Sequence, residues 1–178
     1  MTGSTADELF DVVDEHDNVV EVLSRGEVHR RKLRHRAVHI FLFRSDGRLL
    51  IHLRSANKEE FPSVWTSSAS GHVASGEGYR LSAERELQEE LGITAKLTFV
   101  AKFDACPETS NEFTELYTAV SDARVAADPG EIVDVRWATV AEIRSELQAA
   151  PEQFSPAFRL LFEFFANQTG QIPPSNLD

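Results

Sequence analysis

The chain has 178 residues, 42% hydrophobic and 26% charged, which suits one soluble domain with a sizeable core. Its net charge of −11 argues against a general nucleic-acid binder, because a phosphate backbone demands a basic surface. A single cysteine, Cys106, excludes a disulfide framework and a cysteine-built zinc site, and no apolar run approaches the ~20 residues of a membrane span.

Met1 to Glu8 lack the apolar core of a signal peptide, so the cytoplasm is the expected location. Leu9–Val13 and Val19–Leu23 predict a hairpin, turned around Asp14 to Asn18. Next come Arg25, Arg30, Arg31, Lys32, Arg34 and Arg36 against one acid, Glu27. The span 8–35 is therefore expected to be a hairpin with a basic loop, either solvated or attracting a phosphorylated ligand. Residues 37–43 are almost continuously apolar, which predicts a strand covered on both faces. Ser45-Asp46-Gly47 turns the chain into a partner strand at 48–54, and 61–65 reads as a loop.

A helix is predicted from Tyr79 to Leu91, with Ala83, Leu87 and Leu91 on its apolar face and Gly92 as its cap. Strands follow at 95–104, 113–120 and 132–137. Thr139 and Glu142 form a capping box for a helix to about Ala149. Ser155-Pro156 opens a last helix through about Asn167, and 168–178 reads as a frayed tail. No linker divides the chain, so 1–178 is expected to be a single domain.

The predicted 79–91 helix carries Glu86, Glu89 and Glu90 at i, i+3 and i+4, which puts all three carboxylates on one face. Such a face repels itself, and a divalent cation with a preference for hard oxygen ligands removes the conflict. Gly71, Glu77, Arg85, Glu86, Leu87, Glu89, Glu90, Gly92 and Ile93 stand at the spacing Gly-x5-Glu-x7-Arg-Glu-U-x-Glu-Glu-x-Gly-U, with U aliphatic. This pattern resembles the signature of the Nudix hydrolase superfamily, with every fixed position filled. The resemblance implies an α/β/α sandwich with a mixed central sheet, and Mg²⁺ (or Mn²⁺ as substitute) as cofactor. It makes Gly71, Glu89 and Glu90 metal ligands, with Glu86 a further ligand or the base. Arg85 becomes an orienting residue, pairing with Glu77 or Glu89. One further acid outside the signature is expected, from Glu112 or Glu131. Glu131 precedes the 132–137 strand and is preferred as the catalytic acid, which leaves Glu112 to substrate binding.

Outside the signature, Arg25 to His29, His35 to His39, Leu53 to Ser55 with Lys58, Phe61 to Trp65 and Ser67 to His72 resemble hydrolases related to isopentenyl diphosphate isomerase. With the signature, the likeness spans roughly residues 8–165. It implies that Arg54 and Lys58 bind a diphosphate, and it makes a homodimer a candidate assembly. Ser70 stands where the isomerase cysteine would be, and Ser110 where an isomerase metal-binding glutamate would lie. A hydroxyl cannot replace a thiol in moving protons to and from carbon with the same ease. Hydrolysis of a phosphoanhydride in a nucleoside diphosphate linked to another moiety is therefore preferred over isomerisation or a non-catalytic sensor. His29, His35 and His72 are candidates for a vestigial second metal site, weighed against the commoner structural role of a histidine. His39 is read as structural.

Overall fold

The computed structural model describes residues 7–168. The tail expected beyond Gln168 lies outside the described residues. Strands β1 (Leu9–Val13) and β2 (Val19–Ser24) pair antiparallel from Leu9↔Ser24 to Val13↔Val19. Asp14 builds their turn, its carboxylate accepting the N–H groups of His16 at 2.8 Å and Asn18 at 2.9 Å.

The segment expected as a basic loop contains a helix, α1 (Arg25–Arg31). Ser24 caps it by accepting the Glu27 N–H at 3.4 Å, and Lys32 ends it with φ 53°. Glu27 pairs with Arg30 and Arg31 one turn on, and Val28 is fully buried beside Phe10 and Val12. A helix this short cannot persist on propensity alone, so burial of Val28 under the hairpin sustains it.

Seven strands form a mixed sheet: β3 (His35–Phe43), β4 (Leu49–Arg54), β5 (Trp65–Thr66), β6 (Ala69–His72), β7 (Thr98–Phe103), β8 (Glu112–Val120) and β9 (Ile132–Ala138). β3 runs parallel to β8 in register from His35↔Glu112 to Phe43↔Val120, and the other pairings are antiparallel. On its other edge β3 pairs with β6 over Ala37–Ile40 and meets β4 only at Phe43↔Leu49. β4 instead pairs along its length with β9, so the two halves of the sheet part near the start of β3.

β3 is apolar throughout because both its faces are covered. Val38, Ile40 and Leu42 pack with Ala83, Leu87 and Leu91 of α2 (Tyr79–Leu91). Phe41 and Phe43 pack with Ile143 of α3 (Val140–Ala149) and with Phe158, Leu161, Phe162 and Phe165 of α4 (Pro156–Gln168). The expected α/β/α sandwich is thus present, and each large side chain buried in it contributes roughly 1.5–3 kcal/mol. Both predicted caps of the second helical layer form: Thr139 and Glu142 exchange bonds at 2.7 and 3.2 Å, and Ser155 accepts the Phe158 N–H at 3.3 Å. No helix among the described residues is long and apolar enough to cross a membrane.

His39 and His52 sit inside this sheet, Nδ1 of His39 bonding to Ser67 Oγ at 2.7 Å and Nδ1 of His52 to the Ser68 carbonyl at 3.0 Å. Burial pushes each imidazole down to about 4. Above pH 6.5 both are neutral, folded or unfolded. As the pH falls from 6.5 towards 4, the unfolded chain takes protons that the fold refuses, and stability drains away. These two histidines should therefore withdraw a few kcal/mol from the free energy of urea unfolding between pH 6.5 and 4.5, read as the difference from a variant lacking one of them so that other groups titrating in that window cancel. His52→Asn, which keeps a donor in place of Nδ1, should flatten part of that slope.

Candidate active site

α2 positions the carboxylates. Its apolar face packs on β3 and β6, and Gly92 ends it at φ 67°, donating to Gln88 O at 2.9 Å. A side chain at Gly92 would be strained by that φ and would press on Ala126. With the helix fixed so, Glu90 is buried beside β6 and accepts the Ser70 N–H at 3.0 Å. Glu86 lies against Gly71, where any Cβ would overlap its carboxylate. Glu89 stays exposed.

Arg85 ties the group together. Its guanidinium donates to Glu77 at 3.2 and 3.0 Å, to Glu86 at 2.6 Å, to Glu89 at 3.2 Å and to the His72 carbonyl at 3.2 Å. Even so, burial pushes Glu86 up to about 7, against the pull of Arg85. Burial and the neighbouring Glu86 push Glu90 up to about 8, opposed by the Ser70 N–H and by Lys58 and Arg54. Two carboxyls that resist ionising together fit a site built for a divalent cation, whose charge would allow both to ionise.

The residues expected as metal, catalytic and diphosphate-binding groups line one cleft of about 480 Å³, as does His72, whereas His29 and His35 do not line it. Gly71, Arg85, Glu86, Glu89 and Glu90 line one side, and Arg54, Lys58, Glu112 and Glu131 complete it. Arg54 is braced by the carbonyls of Phe61 and Glu60 at 3.0 and 2.9 Å. Lys58 forms an ion pair with Glu131, whose own carbonyl accepts the Ser55 N–H at 2.9 Å. Burial pushes both Arg54 and Lys58 below their ordinary values.

Three features of the site were not read from the sequence: the place of Arg25, that of His39, and the histidine partners of Glu112. Arg25, at the start of α1, lines the cleft, and its buried Nε has no hydrogen-bond partner among the described residues. Its place in the basic cluster was the available signal. His39 lines the cleft as well as bonding to Ser67. Glu112 is held by histidines: its Oε1 lies 3.0 Å from His72 Nε2 and 3.4 Å from His35 Nε2. Burial pushes Glu112 up, but the bonds and charge of His35 and His72 outweigh it and hold the carboxyl well below the usual range.

His29, His35 and His72 form a cluster with ligand atoms within 4.8 Å of one another. His35 Nδ1 bonds the Leu33 carbonyl at 2.9 Å, which leaves Nε2 facing Glu112. Both nitrogens of His29 are buried without a hydrogen-bond partner among the described residues. Burial lowers His29 and His72 towards the neutral form that metals bind, whereas the Glu112 carboxylate, outweighing burial, raises His35. The donor set, three imidazoles and a carboxylate, suits a first-row transition metal.

The chain is similar to known proteins. A family model of the NUDIX domain matches residues 33–158. An isopentenyl-diphosphate Delta-isomerase of Serratia proteamaculans is 35% identical over 157 residues, covering 85% of this chain and 88% of that protein. An uncharacterized Nudix hydrolase of Streptomyces coelicolor is 37% identical over 140 residues, covering 75% and 74%. The crystal structure of DR0079 from Deinococcus radiodurans superposes with a TM-score of 0.79 at 31% identity, covering 88% of this chain and 98% of that one.

The raised carboxyls set a pH dependence. Their stabilising contribution is fully present below the unfolded value near 4.5 and is lost as pH rises through about 7 for Glu86 and about 8 for Glu90. A cation that needs both ionised competes with those protons. Millimolar Mg²⁺ should therefore raise the melting temperature more at pH 8.5 than at pH 6, as scanning calorimetry at constant ionic strength would show.

Proposed function

This chain belongs to the Nudix family, and on that premise we propose that it is a Mg²⁺-dependent pyrophosphohydrolase. The substrate class proposed is a nucleoside diphosphate linked to another moiety. One observation carries the reading: the carboxylates of Glu86, Glu89 and Glu90 and the cations Arg25, Arg54 and Lys58 line a single cleft. A diphosphate needs both, one set to hold a counter-ion and the other to bind its oxygens directly.

Glu86, Glu89, Glu90 and the Gly71 backbone are the proposed ligands. A bound Mg²⁺ would neutralise phosphate charge and lower the pKa of a water at phosphorus. Arg54, held by two carbonyls, presents its guanidinium as a fixed diphosphate clamp. Lys58 is paired with Glu131. An arriving diphosphate competes for Lys58, and Glu131 is then free to accept the proton of the attacking water. The new P–O bond forms to that water as the anhydride P–O bond breaks.

Isomerisation of an allylic diphosphate fits less well. Ser70 stands at the position implied for the isomerase cysteine, and its backbone N–H is committed to Glu90. A second cation site at His29, His35, His72 and Glu112 is proposed beside the carboxylate face, supported by the unpartnered nitrogens of His29.

A panel of nucleoside diphosphate derivatives, nucleoside triphosphates, dinucleoside polyphosphates and prenyl diphosphates should yield phosphorus-containing hydrolysis products for at least one class. Glu89→Gln and Glu90→Gln should each lower kcat about a hundredfold or more. If both variants keep full activity, the assigned face is wrong. Gly71→Ala should leave the melting temperature nearly unchanged, because the displaced Glu86 carboxylate is a flexible end, yet it should lower kcat about tenfold or more. Elemental analysis of protein purified without chelator should find a transition metal that His72→Ala loses and Glu90→Gln keeps.

A further inference from the structure

Asp11, on β1, is a buried carboxylate that lines no part of the cleft. Its two oxygens grip the turn that precedes α2: Oδ1 accepts the Ser75 hydroxyl at 2.6 Å and Oδ2 accepts the Gly76 N–H at 3.2 Å. The backbone on either side joins in. The Leu9 carbonyl accepts the Ser75 N–H at 2.8 Å, and Phe10 bridges to Ala74. Gly76 holds φ 75°, so the turn is tight and is fixed from outside by the hairpin.

The alternative role for Asp11 is as counter-ion to Arg36. That is the weaker contact, since Arg36 lies 3.6 Å from Asp11 and already donates to the Asp17 carboxylate at 2.6 Å and the Asp17 carbonyl at 2.7 Å. The hydrogen bonds of Asp11 go to the turn.

From the turn, a chain of bonds runs into the cleft. Glu77 closes the turn by donating its N–H to the Ala74 carbonyl at 2.9 Å. Its carboxylate accepts Ser82 Oγ at 2.5 Å and Arg85 at 3.0 and 3.2 Å. Arg85 in turn holds Glu86 and Glu89. A shift of the turn therefore shifts the guanidinium that orients two of the three carboxylates.

We propose that Asp11 is a positioning residue of the carboxylate face, holding the Ser75–Gly76 turn so that Glu77 and Arg85 set Glu86 and Glu89 for a hard divalent cation. This rests on the reading of Glu86, Glu89 and Glu90 as the cation face. The hairpin thus acts as a brace for the cleft as well as a cover for α1. Outer partners of metal ligands commonly alter metal affinity by 10–100-fold when removed, which sets the scale of the effect.

Calorimetric titration of the full chain with Mg²⁺ alone tests this, because Mg²⁺ prefers oxygen to imidazole ligands. Asp11→Ala should weaken Mg²⁺ binding about tenfold, and Asp11→Asn, which keeps one acceptor, should fall between it and the unaltered protein. Ser75→Ala should weaken binding a few-fold alone and add nothing in the Asp11→Ala background, because both act through one turn. Should Asp11→Ala fail to fold, Asp11→Asn and Ser75→Ala carry the same comparison. Unchanged Mg²⁺ affinity in these variants, with only the melting temperature lowered, would overturn the positioning role while Glu90→Gln still abolished binding. Mg²⁺ binding that survives Glu90→Gln would instead overturn the reading of the face, and this inference with it.

Discussion

Glu90 is buried and Glu86 half-buried beside it on one turn of α2, and much of the surrounding architecture follows from that repulsion. Neither carboxylate could stay there without compensation. Arg85 offsets Glu86, and a backbone N–H from Ser70 offsets Glu90. Gly71 is a glycine because the Glu86 carboxylate occupies the space of its side chain. The compensation is incomplete, as the raised affinity of both groups for protons shows. What remains is a preformed demand for positive charge at the mouth of a cleft.

The rest of the cleft is polarised to match. Arg54 is immobilised by loop carbonyls, Lys58 is balanced against Glu131, and Arg25 is delivered by a short helix. These cations offset the carboxylate face only in part: Lys58 and Arg54 pull Glu90 down, but burial and Glu86 outweigh them. The three histidines and Glu112 form a second polar cluster with softer donors, joined to the cleft through His72 and Glu112. Phe10 stacks on His35 at 5.6 Å and approaches His72 at 4.8 Å, so the hairpin touches this cluster as well as the turn before α2.

Much of this was legible in the chain. The hairpin, the doubly covered β3, the capping box of α3, the N-cap of α4 and the carboxylate helix each carry a local signal, and each stands close to its expected bounds. α1 escaped notice because its seven residues hold a glycine and four basic or imidazole side chains around a single buried valine. Its helicity comes from packing on Phe10 and Val12, which sequence periodicity cannot show. Glu112 was legible as a site residue, but its histidine partners were not. Its partnership with His35 depends on the parallel register of β3 and β8, a pairing across 77 positions with no local trace. Comparing Ser110 with an acid of the resembled isomerases drew attention two residues away from the acid that faces the histidines. Likewise, the bonds from Asp11 to Ser75 and Gly76 span a long stretch of chain and appear only once the hairpin is folded back.

On the proposed function, this cleft delivers water to phosphorus. Turnover in ¹⁸O-enriched water, followed by mass spectrometry of the products, tests it most directly. One ¹⁸O atom per turnover should appear in a phosphoryl product, and none in the presence of a chelator. Turnover of a diphosphate with no ¹⁸O at phosphorus would contradict it.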